Sequence, residues 1–333
     1  MSSLLIGLVG ALMATNQPAA ISNLVEQTTG VAVHVPNDPA ELELDKLMAE
    51  DDATLAEIDG WIRENHAFEA KGAGIPDKEL NQRIRKRLDQ VRHAYDDYLK
   101  RYTNSASGRI AYASFLDHIG EEDDEVKLLE EAAKLDPKNP AAYNQLANYY
   151  GHRGPINLAF EDYEKAIAID PTESVYYWNL ATTVYLYRKD SKEYYHLGEQ
   201  QIFDKAMGLY GKALELDPTN FDLATDLAET YYGIRPFRPE PALVAWTNAL
   251  RIAGNEVERE GVCVHLARVK FLAGQYTEAR SQLLQVTNSI YAELKRRLTR
   301  NLDEKEGKGT NAPVTASAAS REESSGSPTN ASR

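Results

Sequence analysis

The sequence predicts an all-α protein built from repeated pairs of antiparallel helices. Pro137 and Pro171 lie 34 residues apart, which is the length of one helix-turn-helix repeat. Between the two prolines, apolar residues recur at the i, i+3, i+4 and i+7 positions that line one face of a helix. These positions hold Tyr143, Leu146, Ala147 and Tyr150 on a first helix, and Ala159, Tyr163 and Ala166 on a second. The small alanines let the two helix axes approach closely.

Residues that begin and end helices lie at both ends of this pair. Asn139 is a candidate N-cap with Pro140 in the first helical position. Gly154 permits the turn between the helices. Pro171 ends the second helix, because a proline disfavours helical geometry in the residue before it. The segment 140–173 is therefore predicted to form one helical hairpin.

The quoted residues resemble a tetratricopeptide repeat, whose aromatic, leucine, glycine, alanine and proline positions they fill. The resemblance implies an α-solenoid, in which antiparallel helix pairs stack into a right-handed superhelix. It also implies a concave inner face, where members of this family usually bind extended peptides. The same architecture serves unrelated pathways, so the resemblance is specific for the fold and weak for function.

The repeat period extends in both directions and predicts about five units. The third contains an insertion near 190–201, since Pro171 and Pro218 lie 47 residues apart. Pro236, Pro239 and Pro241 are expected to expand the turn of the fourth. Five units exceed the minimum of about three that such stacks need. The predicted units are 106–139, 140–173, 174–220, 221–258 and 260–290.

Flanking segments are predicted to cap the stack. The region 21–105 should form an N-terminal helical cap, with helices near 39–48, 53–70 and 76–102. At the other end, a helix should continue from 283 to 301, so that 291–302 forms the end of a C-terminal capping helix. The segment 303–333 has no aromatic residue and is rich in small polar residues, which predicts a disordered tail.

The N-terminal segment 1–20 contains an uncharged apolar run from Leu4 to Ala14. This run is too short for a stable membrane span but has the length of a signal-peptide core. The expectation is a cleaved signal and export to the periplasm or medium. A buried N-terminal helix in a cytoplasmic protein and a membrane-attached segment are the alternatives, because no lysine or arginine precedes the run.

Composition excludes several classes of function. The chain has 333 residues, 43% of them apolar, and a formal charge of −14. This charge opposes nonspecific binding to nucleic acid or anionic membrane. Cys263 is the sole cysteine, so an intramolecular disulfide is excluded.

Motifs for catalysis are absent from the sequence: it has no phosphate-binding glycine loop, zinc-spaced Cys/His set or nucleophile elbow. His118 and His152 occupy equivalent places in adjacent units, but two imidazoles without a third ligand rarely hold a metal. We therefore predict a noncatalytic protein without cofactor or metal.

The inner helix stripes are the predicted partner-binding groove. Our hypothesis is that the groove binds a neutral or basic extended protein segment, with asparagines bonding its backbone, aromatic rings giving apolar contact and acids attracting cations. The candidate residues are Asn144, Asn148, His152, Trp178, Asn179, Thr182, Tyr185, Asp222, Thr225, Asp226, Glu229, Tyr232 and Arg268.

One subgroup of the family binds the C-terminal carboxylate of chaperones with a clamp of lysine, asparagine and arginine. Asn148 and Asn179 match the two clamp asparagines. Asn144, Asp222 and Asp226 occupy the places of the clamp cations, where an anionic peptide end would meet acidic side chains. The sequence therefore predicts against binding of chaperone tails.

The insertion near 190–201 contains Tyr194, Tyr195 and Leu197, which are costly to expose. These side chains either pack on the stack as a small helix or form a second interface. The leading functional prediction is a scaffold for protein assembly. The alternative is an accessory subunit of an enzyme or envelope complex that docks a folded partner through this insertion.

Overall fold

The computed structural model describes residues 38–307, which form fourteen α-helices and two short 3₁₀ segments, with no strand in this part of the chain. The predicted signal segment 1–20 and the tail beyond residue 307 lie outside the described residues. The chain divides into two compact units after Asp217. None of the helices between residues 38 and 307 combines the length and apolar character that crossing a bilayer requires.

Unit 1 contains an N-terminal helical hairpin, three repeats and one inserted helix. Its helices are α1 (Pro39–Glu69), α2 (Asp77–Arg101), α3 (Ala106–His118), α4 (Glu122–Leu135), α5 (Pro140–Arg153), α6 (Ile156–Ile169), α7 (Ser174–Leu186), α8 (Arg188–Tyr195) and α9 (Glu199–Leu216).

The N-terminal cap is a hairpin of two long helices rather than three separate ones. The prediction of helices near 39–48 and 53–70 was wrong, since α1 is continuous over 31 residues. The segment 49–52 holds no glycine or proline, so nothing interrupts the backbone hydrogen bonds. Asn65 anchors the following turn, because its Oδ1 accepts a hydrogen bond from the Ile75 N–H at 2.8 Å.

Aromatic rings join this cap to the first repeat. Tyr95 on α2 is fully buried and stacks on Tyr112 of α3 with ring centroids 4.9 Å apart. The Tyr95 hydroxyl donates a hydrogen bond to the buried carboxylate of Asp51. Tyr98 lies so close to Gly108 that a Cβ there would overlap its ring. The cap thus covers the face of α3 that an isolated stack would expose.

The predicted period appears as three helical pairs: α3 with α4, α5 with α6 and α7 with α9. Asn139 caps α5 as predicted, since its side chain accepts a hydrogen bond from Ala141 N–H at 3.0 Å. Gly154 ends α5 with φ at 75°, a conformation that favours glycine. Ala147 and Ala159 are fully buried where α5 and α6 approach each other.

The insertion in the third repeat forms a helix that packs within unit 1. This helix, α8, covers residues 188–195, and residues 199–201 already belong to α9, so the predicted boundaries 190–201 are displaced. The buried Ser191 hydroxyl donates to the Val184 carbonyl at 3.0 Å. Phe160 of α6 contacts the Tyr194 and Tyr195 rings at centroid distances of 5.1 and 5.4 Å.

Unit 2 contains two further helical pairs and a C-terminal helix. Its helices are α10 (Phe221–Thr230), α11 (Pro239–Ile252), α12 (Glu256–Leu272), α13 (Tyr276–Leu284) and α14 (Ala292–Lys305), with 3₁₀ segments at Tyr231–Gly233 and Ser289–Tyr291.

Two predicted details of these repeats were wrong. Pro239 and Pro241 lie in the first turn of α11, where the missing N–H groups need no intrahelical partner, and only Pro236 lies in the connecting loop. The boundary placed between 258 and 260 cuts the first turn of α12. This helix begins at Glu256, because the Asn255 side chain accepts a hydrogen bond from Glu258 N–H at 3.0 Å.

The C-terminal helix is separate from the last repeat. The predicted continuous helix from 283 to 301 was wrong, because α13 ends at Leu284. The Glu260 carboxylate accepts hydrogen bonds from the N–H groups of Thr287 and Asn288 at 2.7 and 2.6 Å, and so stabilises a turn. The Asn288 and Thr287 donors also hold the pKa of Glu260 below its ordinary value.

The helix α14 also extends further than predicted. The tail prediction began at residue 303, but α14 continues to Lys305. Leu302 is fully buried near the end of this helix. Arg280 of α13 pairs with Asp303 at 2.5 Å and with Glu306 at 2.8 Å. These contacts hold the last turn of α14 on the repeat.

Glu125 is a buried carboxylate of α4 that makes stability depend on pH. Only 5% of the residue is exposed. Burial, with the negative charge of Asp117, raises the pKa of Glu125 from 4.5 to about 7. The folded protein therefore holds this proton more tightly than the unfolded chain does. Stability falls as pH rises through this interval, which is the opposite of the usual behaviour of a paired carboxylate.

We expect Glu125→Gln to stabilise the protein by about 1–2 kcal/mol at about pH 8, a value reduced for solvent screening, and to have little effect at about pH 4. Urea denaturation of the full chain at both pH values measures the difference. Asp123→Asn, on an exposed position of the same turn, is the control and should change stability little. Equal stability of Glu125→Gln and the natural protein at the higher pH would contradict this account.

Candidate partner-binding surface

Three asparagines from successive first helices of unit 1 lie together on its surface. Asn179 of α7 donates through Nδ2 to Asn144 Oδ1 at 3.1 Å and to Asn148 Oδ1 at 3.3 Å, both on α5. The hydroxyl of Tyr163, on the second helix α6, donates to Asn148 Oδ1 at 2.7 Å. We call Asn144, Asn148 and Asn179 the amide surface.

The amide surface has a defined hydrogen-bonding polarity. The Oδ1 atoms of Asn144 and Asn148 accept bonds from neighbouring side chains, which fixes the orientation of both amides. Their Nδ2 groups donate to no protein group in the part of the chain that the structure describes. The three side chains are partly exposed. The arrangement therefore offers N–H donors to a bound molecule.

The other predicted residues of unit 1 lie along the same two helices. Thr182 bonds the Tyr210 hydroxyl at 2.9 Å, and Trp178 is half-buried. The Tyr185 ring faces the Arg188 guanidinium at 5.1 Å, which leaves less of the ring for a partner. His152 is exposed at the C-terminal end of α5.

Predicted residues of unit 2 divide between exposed acids and a packed cluster. Asp222 is exposed in the first turn of α10, and its carbonyl accepts a hydrogen bond from Thr225 Oγ1 at 2.9 Å. The carbonyl of Asp226 accepts one from Thr230 Oγ1 at 2.8 Å. Glu229 is exposed as a residue, but its carboxylate is partly desolvated. This desolvation raises the pKa of Glu229, and the negative charge of Asp226 adds to the rise. These acids stand near one another on one helix.

The remaining pair, Tyr232 and Arg268, belongs to a cluster that the sequence prediction missed. His265 stacks on the buried ring of Trp246, with centroids 4.1 Å apart. The Tyr232 hydroxyl lies 3.2 Å from His265 Nδ1, and the Arg268 guanidinium lies 4.2 Å above the Tyr232 ring. His265 lies three residues before Arg268, so helical periodicity was the signal that could have identified it.

Burial makes the imidazole of this cluster neutral at physiological pH. Desolvation, with the positive charge of Arg268, lowers the pKa of His265 to about 4. Glu229 Oε1 is 4.0 Å from His265 Nε2, too far for a hydrogen bond. The imidazole therefore serves as a packed, uncharged ring.

The second predicted interface, Tyr194, Tyr195 and Leu197, lies in a hydrophobic cluster with Phe160. All three side chains are partly buried. Lys205 lies 4.0 Å from the centroid of the Tyr195 ring, and the Tyr195 hydroxyl has no hydrogen-bond partner among residues 38–307. The internal contacts reduce the apolar area that this segment can offer to a partner.

Neither His118 nor His152 belongs to a group of side chains that could hold a metal ion in the described range. His118 Nδ1 lies 2.7 Å from the Ser114 carbonyl of its own helix. Between residues 38 and 307, no three His, Cys, Asp or Glu side chains are arranged to hold a metal ion.

The fold and the amide surface define a class: a helical-repeat protein with polar side chains along its first helices. The tetratricopeptide-repeat family model matches residues 140–173 of the chain. It is similar to Hsp70-Hsp90 organizing protein 2 of Arabidopsis thaliana, with 34% identity over 100 residues. The match covers 30% of this chain and 15% of that relative.

Solved structures of similar fold share little sequence with the chain. MamA is 21% identical, with a TM-score of 0.41, and the match covers 54% of this chain and 95% of MamA. YrrB, described as a TPR protein with an unusual peptide-binding site, is 14% identical over 62% of this chain and 97% of its own, with a TM-score of 0.46. The pilF protein of Pseudomonas aeruginosa is 16% identical over 78% and 98%, with a TM-score of 0.47.

Proposed function

We propose that the chain is a noncatalytic scaffold that binds an extended segment of a partner protein on the amide surface of unit 1. The observation that carries this proposal is the joint orientation of Asn144, Asn148 and Asn179. An extended peptide presents carbonyl groups at regular intervals, and the Nδ2 donors of Asn144 and Asn148 are suited to bond them. Recognition of main-chain atoms needs no particular side chain in the partner.

The net negative charge of the chain favours binding of a neutral or basic segment. The chain carries a formal charge of −14, which attracts cations and repels acidic segments at long range. The exposed carboxylates of Asp222 and Glu229 belong to unit 2 and contribute to this net charge. Trp178 supports the proposal with a half-buried indole on α7, the helix that carries Asn179.

We expect Asn144→Ala to weaken capture of basic and neutral peptides on an array by about three- to tenfold, because it removes one hydrogen-bond donor. Asn144 is preferred to Asn148 for this substitution, since Asn148→Ala would also remove the acceptor of the buried Tyr163 hydroxyl. Dissociation constants of the best peptides, measured by fluorescence anisotropy with the full chain, give the comparison.

Asn157→Ala, an exposed asparagine on the second helix α6, is the matched control and should bind like the natural protein. Thermal unfolding of each variant reports whether the fold is intact. The proposal is rejected if a folded Asn144→Ala, Asn179→Ala double variant captures every peptide with unchanged affinity.

A further inference from the structure

A pocket of about 350 Å³ opens between α12 and α14 of unit 2. This volume is within the range that holds a small group or a few side chains of a ligand. Its floor and walls include the apolar side chains of Phe271, Leu272, Leu294 and Leu298. Leu298 is buried, whereas Leu272 and Leu294 are 50% and 46% exposed. Two large exposed leucines at one opening are suited to contact with an apolar partner group.

Two arginines stand at the same pocket, and neither forms an ion pair within the described residues. Arg268 comes from α12 and Arg297 from α14. Other arginines of α14 are paired: Arg296 contacts Glu293 at 2.7 Å, and Arg300 lies 3.9 Å from Glu304. The guanidiniums at the pocket therefore retain their capacity to bind a carboxylate in a bidentate arrangement.

The described residues around Arg268 do not occupy the hydrogen-bond donors with which its guanidinium could bind a carboxylate. Its guanidinium lies over the Tyr232 ring, an interaction that satisfies none of its N–H donors. Glu229 is the acid close enough for Arg268 to lower its pKa, but burial and Asp226 outweigh this effect. His265, which also lines the pocket, is neutral at physiological pH because of its lowered pKa. The positive charge at the opening thus comes from the arginines.

We propose that this pocket binds an acidic segment of a partner protein, in which a side-chain carboxylate lies between leucine-like residues. The carboxylate pairs with Arg268 and Arg297, and the apolar side chains contact Leu272 and Leu294. Charge complementarity at the pocket supports this occupant, since two arginines without an ion pair among the described residues stand at an apolar opening. The net charge of −14 opposes an acidic segment at long range, so the attraction is local to Arg268 and Arg297. The site uses other residues than the amide surface, so either proposal can fail alone.

The segment of this chain beyond Gly307 does not fit that description. It contains Glu322 and Glu323 but only one large aliphatic residue, Val314, and no leucine, isoleucine or aromatic residue. It could provide a carboxylate without the apolar groups that the pocket accommodates. This C-terminal segment is therefore not matched to the pocket.

The test uses the full chain and a fluorescein-labelled, C-terminally amidated peptide whose core alternates leucine and glutamate. We expect saturable binding by fluorescence anisotropy and an increase of about tenfold in Kd for Arg297→Gln. A peptide with glutamine in place of glutamate, and one with serine in place of leucine, should each bind at least about tenfold more weakly. Arg268→Gln should match Arg297→Gln.

Arg296→Gln is the matched control, because Arg296 neighbours Arg297 but is paired with Glu293. It should leave the peptide affinity unchanged. The proposal is overturned by absence of saturable binding up to about 1 mM peptide, or by equal affinity of a folded Arg297→Gln variant. If a glutamine peptide with a free C-terminal carboxylate bound as tightly as the amidated glutamate peptide, the pocket would be assigned to the C-terminal carboxylate of a partner instead. Sedimentation showing dimers that Arg297→Gln dissociates would assign it to a second copy.

Discussion

Phe160→Ala is expected to destabilise unit 1 by about 3–5 kcal/mol, the largest effect of any single change considered. The side chain is fully buried and touches both tyrosines of the inserted helix α8. Its removal leaves a cavity between α6 and α8, and the Tyr194 and Tyr195 rings both lose their contact with the Phe160 ring. Urea denaturation followed by circular dichroism measures the loss.

Two controls distinguish the loss of packing around α8 from a general sensitivity of unit 1 to substitution. Leu186→Ala changes a side chain that is 62% exposed and should alter stability by less than about 0.5 kcal/mol. Tyr195→Phe keeps the ring and removes a hydroxyl that bonds nothing within residues 38–307, so it should be neutral or slightly stabilising. A loss below about 1 kcal/mol for Phe160→Ala would mean that α8 does not depend on this contact.

Tyr95→Phe should cost about 1–3 kcal/mol, because it leaves the buried carboxylate of Asp51 without its phenol donor. Burial raises the pKa of Asp51, and the bond from Tyr95 partly opposes that rise. Without the bond, the pKa should rise further. The folded variant then favours the protonated carboxyl, so its stability falls more steeply as pH increases. The loss should therefore be larger at about pH 8 than at about pH 5.

The measurement compares denaturation of the two proteins at both pH values. Tyr143→Phe is the control, since the Tyr143 side chain is only partly buried and its hydroxyl makes no hydrogen bond in the described part of the chain. It should behave like the natural protein. If Tyr95→Phe costs the same at both pH values, the carboxylate is not the group that the phenol stabilises.

Much of the candidate surface could be predicted from helical periodicity. Asn144, Asn148 and Asn179 were identified because the core positions of α5 and α7 define the remaining faces of those helices. Their mutual hydrogen bonds could not be predicted, since Asn179 meets Asn144 across 35 positions of sequence. A stripe of residues on one helix indicates which side chains face outward, but not which atoms of the next helix they reach.

Other features were missed because their significance depends on burial. Glu125 and Glu260 are two of many acidic residues in the sequence. In the structure, Glu125 is buried beside Asp117, and Glu260 holds a turn at Thr287 and Asn288. In the sequence, Arg297 is one of several basic residues in the last helix. Only the contacts of the neighbouring arginines distinguish it as unpaired.

The sequence by itself determined the helical hairpins, because caps, turn glycines and the spacing of apolar residues act within a few positions of one another. It did not determine that α1 is continuous, that α8 packs on Phe160 or that α14 is separate from α13. The tertiary structure decided these points and the pairing of polar side chains from helices distant in sequence. The reason is geometric: a hydrogen bond or ion pair requires atoms within about 3–4 Å, and such distances depend on how helices distant in sequence rotate and cross.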